Sequence, residues 1–152
     1  MHYTSWNSRL LPFFREELIK KEDPSLYPSI ASFRQKDIYT PEQRRALQQY
    51  CAQCPNIVAT SYERCNAYSG TKTSELAYYT DGEVIFNNLL FDYLEREDFA
   101  LPERWLAGIK NRDYILQTTA IDIDRMLHSG IDIFQMSAQT FDDIPLVKAF
   151  MK

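Results

Sequence analysis

Residues 75–94, ELAYYTDGEVIFNNLLFDYL, constrain the fold more than any other stretch of the chain. Asp81-Gly82 is a preferred two-residue hairpin turn, since a type I′ turn needs positive φ at both central positions and these residues tolerate it. That turn predicts a register with Thr80 opposite Glu83, Tyr79 opposite Val84, Tyr78 opposite Ile85 and Ala77 opposite Phe86. Alternate residues then fall on opposite sides, and both sides are largely apolar. A sheet open to water on one face would alternate polar with apolar residues, so helices or another layer are expected to cover much of each side.

Helix signals surround the hairpin. Thr40 is placed to cap, Pro41 to take the first turn and Gln43 to close a reciprocal capping box, which predicts a helix from Pro41 to about Cys54. Leu47, Tyr50, Cys51 and Cys54 recur at three- and four-residue steps and share one face of it. Pro55 helps to end it, and residues 56–60, NIVAT, read as a short strand. Beyond the hairpin, Asn87 or Asn88 can cap a helix with Leu89, Leu90, Tyr93 and Leu94 inward. Pro102 starts another, with Trp105, Leu106 and Ile109 on one side and Glu103 at the favourable amino end.

The flanks carry weaker patterns. A first helix is expected from near Pro12 through Phe13, Phe14, Leu18 and Ile19, with Lys20 and Lys21 at its carboxyl end. Pro24 and Pro28 mark irregular backbone between Glu22 and Thr40. Near the C-terminus, Thr118 or Thr119 can cap a helix through Ile123, Met126 and Leu127 that ends at Gly130; a strand over Ile131 to Phe134 and a last turn around Leu146, Val147 and Phe150 follow. The expected fold class is α+β: a small antiparallel sheet with a central β-hairpin packed by several helices, in a single domain spanning 1–152. A chain of 152 residues is long enough to bury its own core.

Charge narrows the partners. A net charge of −4 without basic runs disfavours nucleic acid and anionic membrane surfaces, and leaves a basic protein partner open. The opening MHYTSWNSRLLPFF lacks a basic segment followed by a continuous apolar run, and no stretch approaches the roughly 18 apolar residues of a membrane span. The expected location is therefore cytoplasmic.

Candidate chemistry is sparse. Cys51-Ala-Gln-Cys54 is a C-x-x-C, but it lies at a helix carboxyl end, where the dipole opposes a thiolate, so the pair is read as small buried hydrophobes rather than a redox or metal site. With Cys65, a structural zinc site would still need a fourth ligand, and only His2 and His128 are present to supply imidazole. His128 beside Asp122 and Asp124 could form an acid–base group, but Asp-Ile-Asp at a helix start is adequately explained by the dipole. No Gly-rich phosphate loop, nucleophile elbow or H-E-x-x-H is present. The expected catalytic, cofactor and metal sets are accordingly none. Two acidic clusters, Glu95, Glu97 and Asp98 between helices and Asp142 and Asp143 near the tail, are read either as solvated faces or as complements to a basic partner.

Three segments, Tyr79-Thr-Asp-Gly-Glu-Val-Ile-Phe, Leu90-Phe-Asp-Tyr-Leu and Leu101-Pro-Glu-Arg-Trp-Leu-Ala-Gly-Ile, resemble a pattern in small immunity proteins of bacterial polymorphic toxin systems. There a T-D-G hairpin precedes an aromatic, a Tyr-bearing helix and an L-P-x-x-aromatic helix. The segments Ala46-Leu-Gln-Gln-Tyr and Ile57-Val-Ala-Thr agree loosely with the preceding helix and strand, and Phe86 stands where tryptophan is often seen. The resemblance implies a protein that binds a cognate toxin domain and blocks it. It assigns Asp81 and Gly82 to the turn and Phe86, Tyr93 and Trp105 to packing, and carries over no catalytic residue. The other functions considered are a small enzyme using dispersed carboxylates with His128, and a self-associating regulatory subunit.

Overall fold

The computed structural model describes residues 9–117, save 12, 20–22 and 62. Within them the chain is α+β. A four-stranded sheet runs in the order β1-β6-β5-β2, with β1 Arg9–Leu10, β2 Asn56–Thr60, β5 Leu76–Thr80 and β6 Val84–Asn87. A separate two-stranded hairpin pairs β3, Arg64–Cys65, with β4, Lys72–Thr73. The helices are α1 Pro41–Ala52, α2 Leu89–Tyr93 and α3 Glu103–Asn111.

The capping box that predicts α1 is present. Thr40 Oγ1 accepts from Gln43 N at 3.1 Å and Gln43 Oε1 accepts from Thr40 N at 3.0 Å, satisfying donors that a helix start would otherwise leave open. The helix buries Leu47, Tyr50 and Cys51, with Cys54 buried just beyond its end. At α2 it is Asn87 whose side chain accepts from Leu89 N, at 2.9 Å, while Asn88 Oδ1 accepts from Ala77 N at 3.0 Å and ties the helix to β5. Trp105 and Ile109 of α3 are fully buried.

Both sides of the central hairpin are covered, as its apolar pattern requires: all of β6 and most of β5 are buried. Its register differs from expectation. Tyr78 faces Asn87, Tyr79 faces Phe86 and Thr80 faces Ile85, a slip of two residues. Because the strand period is two, this slip leaves every side chain on its expected side. The turn is not type I′ either, since Gly82 has φ +94° but Asp81 does not enter the left-handed region. Side-chain bonds close the loop instead: Asp81 Oδ1 accepts from Glu83 N and Val84 N at 2.9 and 2.8 Å, and Thr80 Oγ1 donates to Val84 O at 2.8 Å.

The helix expected from Pro12 through Ile19 is not there. Only a 3₁₀ turn, Arg15–Glu17, forms, flanked by extended Phe14 and Leu18, with further 3₁₀ turns at Pro24–Leu26 and Ile30–Phe33. Irregular backbone lets Phe14 and Phe33 meet edge-to-face at 4.7 Å and both reach Phe99, at 6.0 Å each, which a single straight helix would not do. Main-chain bonds from Gln35 N to Asp98 O (2.8 Å) and Ala100 N to Phe33 O (2.6 Å) fasten this segment to the α2–α3 connection. Pro12, Lys20, Lys21 and the expected elements from Thr118 onward lie outside the described residues.

Candidate functional site

Ionisable groups converge at the tip of the central hairpin. The Asp81 side chain is completely shut off from solvent. Its Oδ1 closes the loop, while Oδ2 accepts from the Tyr50 hydroxyl at 2.6 Å, the Trp105 indole at 2.7 Å and Arg112 Nη2 at 3.3 Å. One carboxylate thus joins α1, α3 and the β5–β6 loop. Arg112 Nη2 also approaches the Tyr50 oxygen at 3.0 Å and Glu83 Oε1 at 3.2 Å. Burial, and then the Asp81 charge, push the Tyr50 hydroxyl well above its usual range, so it stays protonated and donates. Arg112 is the C-cap residue of α3, its main-chain N–H bonded back to the last turn, and the chain leaves the helix through Asp113 and Tyr114 at φ +53° and +58°. Gly108 leaves room for the Glu83–Arg112 pair: a Cβ there would stand 2.6 Å from Glu83 Oε1. Such a group binds structure together, since every acceptor direction of Asp81 faces a protein donor.

A second buried carboxylate lies in the N-terminal segment. Glu17 is 1% exposed, accepts from Phe14 N at 2.8 Å and from the Tyr93 hydroxyl, and the same tyrosine oxygen accepts from Ala67 N at 3.0 Å. Desolvation dominates here and pushes Glu17 up to about 7, against the lowering effect of those bonds and of nearby Arg64. Sequence reasoning missed this group, because a glutamate among charged neighbours looks solvent-facing.

The open surface is elsewhere. The β3–β4 turn is shaped by Asn66, whose Oδ1 accepts from Tyr68 N at 2.9 Å and Ser69 N at 3.1 Å, with Gly70 at φ +72°. It holds Tyr68 under two guanidinium groups, Arg34 and Arg96, each 5.1 Å from the ring centroid. Asp98 takes the Tyr68 hydroxyl on Oδ1 (3.1 Å) and Arg34 Nε on Oδ2 (2.7 Å). Two shallow hollows of about 310 and 370 Å³ flank this group, and Arg96 lines both.

The expected acidic cluster therefore divides. Asp98 is engaged internally, with its carboxyl held below the usual range: desolvation raises it, but Arg34 and Tyr68 outweigh that. Glu95 and Glu97 are exposed, each on the rim of one hollow, with Arg96 between them in sequence. Asp142, Asp143, His128, Asp122 and Asp124 lie outside the described residues. Arg34 and Tyr68 escaped notice because they meet Arg96 only through tertiary contacts; the signal available was Tyr68 beside Ser69-Gly70, an aromatic on a turn.

The cysteines sit as their helix position implies. Cys51 and Cys54 are buried, and desolvation drives both thiols well above their ordinary range, which keeps them neutral. Among the described residues no group of three or more His, Cys, Asp or Glu side chains is placed to hold a metal ion, and no helix is long and apolar enough to cross a membrane.

The fold and these clusters define a two-sided packed platform with a polar, mixed-charge face. Comparison with family models, curated proteins and solved structures found no match.

Proposed function

We propose that the chain is an immunity protein that binds a cognate bacterial toxin domain in the cytoplasm and occludes it sterically, with no catalysis of its own. The observation that carries the proposal is the role of Asp81. The T-D-G segment that resembles immunity proteins supplies a carboxylate bonded to Tyr50, Trp105 and the hairpin loop and sealed from solvent, a scaffold role consistent with a binding protein. Phe86, Tyr93 and Trp105, the aromatic positions of the same pattern, are buried in the core. The platform then leaves exposed side chains around Tyr68 and α2 to recognise the partner, over an interface of roughly 1,600 Å² in total if it is of ordinary size.

Co-expression with toxin domains encoded by the genes adjacent to this one tests the proposal. Restored growth together with a stable complex supports it. Undiminished toxicity with no complex contradicts it.

A further inference from the structure

Arg96 is held by a ring rather than by a counter-charge. Its guanidinium lies over Tyr68, and no carboxylate among the described residues comes within ion-pair distance, although Glu95 and Glu97 adjoin it and Asp92 lies four residues earlier. Asp92 meets the Asn66 amide at 3.5 Å instead, and Asp98 is occupied by Arg34 and Tyr68. The aromatic contact orients the guanidinium while leaving its fork of N–H donors without a protein acceptor among those residues. Tyr68 is itself fixed, by the Asn66 turn, by Asp98 and by its packing 5.4 Å from Tyr93.

We propose that the toxin docks on this Tyr68–Arg96 face, placing a carboxylate side chain against Arg96 and basic side chains opposite Glu95 and Glu97. The assignment rests on the immunity proposal above. A carboxylate is the planar acceptor that matches a guanidinium fork. A free phosphate offers a similar shape, but the hollows beside Arg96 carry both signs, Lys72 with Glu95 in one and Lys36 with Glu97 in the other, a pattern that the mixed charges of a protein surface can match and a small dianion cannot. Tyr and Arg are the residue types that most often dominate interface energetics, and these two are ordered before binding, which lowers the entropy lost on association. The hollows of about 310 and 370 Å³ give partner side chains room on either side.

The test is titration calorimetry with the toxin domain against which the chain protects cells in the co-expression test above, purified with a substitution that abolishes its toxicity so that it can be produced. Wild type should bind, and Arg96→Ala should weaken Kd by about 30-fold or more, the scale of an interface hot spot. Arg96→Lys, which keeps the charge but not the fork, should recover only part of the affinity, and Glu95→Lys with Glu97→Lys should weaken binding in a salt-dependent way. Arg96 is exposed, so thermal unfolding of Arg96→Ala should match wild type and separate binding from folding. Wild-type binding with all three variants within twofold of it overturns this docking face while sparing the immunity proposal. Absence of wild-type binding overturns both.

Discussion

The Trp105 indole nitrogen stands 2.7 Å from a carboxylate oxygen of Asp81 that no solvent reaches. Removing the charge strands donors from three directions, so Asp81→Asn should destabilise the fold by about 3–5 kcal/mol, the range for breaking a buried charged pair. Trp105→Phe removes one donor and should cost less, about 1–3 kcal/mol. Urea unfolding followed by circular dichroism measures both.

The α1 capping box gives a smaller, cleaner effect. Thr40→Ala should lower stability by about 1 kcal/mol, since it removes the acceptor for Gln43 N without opening a cavity. A shift in urea midpoint with an unchanged slope is the expected outcome.

Glu17 makes stability fall as pH rises. Its carboxyl titrates near 4.5 when unfolded and is pushed up to about 7 in the fold, so between those values the native state keeps a proton that the unfolded chain has released. The contribution is complete below pH 4.5 and is lost as pH rises through about 7. The groups facing it are Tyr93, Arg64 and Glu16, of which only Glu16 reinforces desolvation. Wild type should therefore lose stability relative to Glu17→Gln across that window, read as the difference between their pH–stability curves; parallel curves would contradict it.

Thiol reactivity should separate the three cysteines. Cys65 is partly exposed, whereas Cys51 and Cys54 are buried with raised thiol pKa values, so a thiol-reactive dye should label Cys65 first and the pair only on unfolding. Mass analysis of the labelled native protein reads this directly.

Local signals were legible wherever a few neighbouring residues decide the outcome. Thr40, Pro41 and Gln43 announce α1, and Leu89 to Leu94 and Trp105 to Ile109 announce the inward faces of α2 and α3. The hairpin and its two-sided burial were legible too, but its register was not, because the Asp81 side chain closes the loop and turns inward onto partners from distant elements. Long-range pairing hid the rest. Nothing beside Glu17 announces Tyr93, nothing beside Arg112 announces Asp81, and the parallel pairing of Arg9–Leu10 with β6 spans most of the described chain. Of the proposed docking face, Glu95 and Glu97 could be named from charge alone; Tyr68 and Arg96 needed the fold to bring them together.

Hydrogen exchange on the protein with and without the proposed partner, a toxin domain, tests most directly whether an inert hairpin platform displays a separate docking face. Binding should slow exchange at the β3–β4 turn around Tyr68 and at residues 94–98, while the amides of β6 stay equally slow in both states. New protection confined to the Asp81–Arg112 tip, with the Tyr68 turn unchanged, would contradict the account.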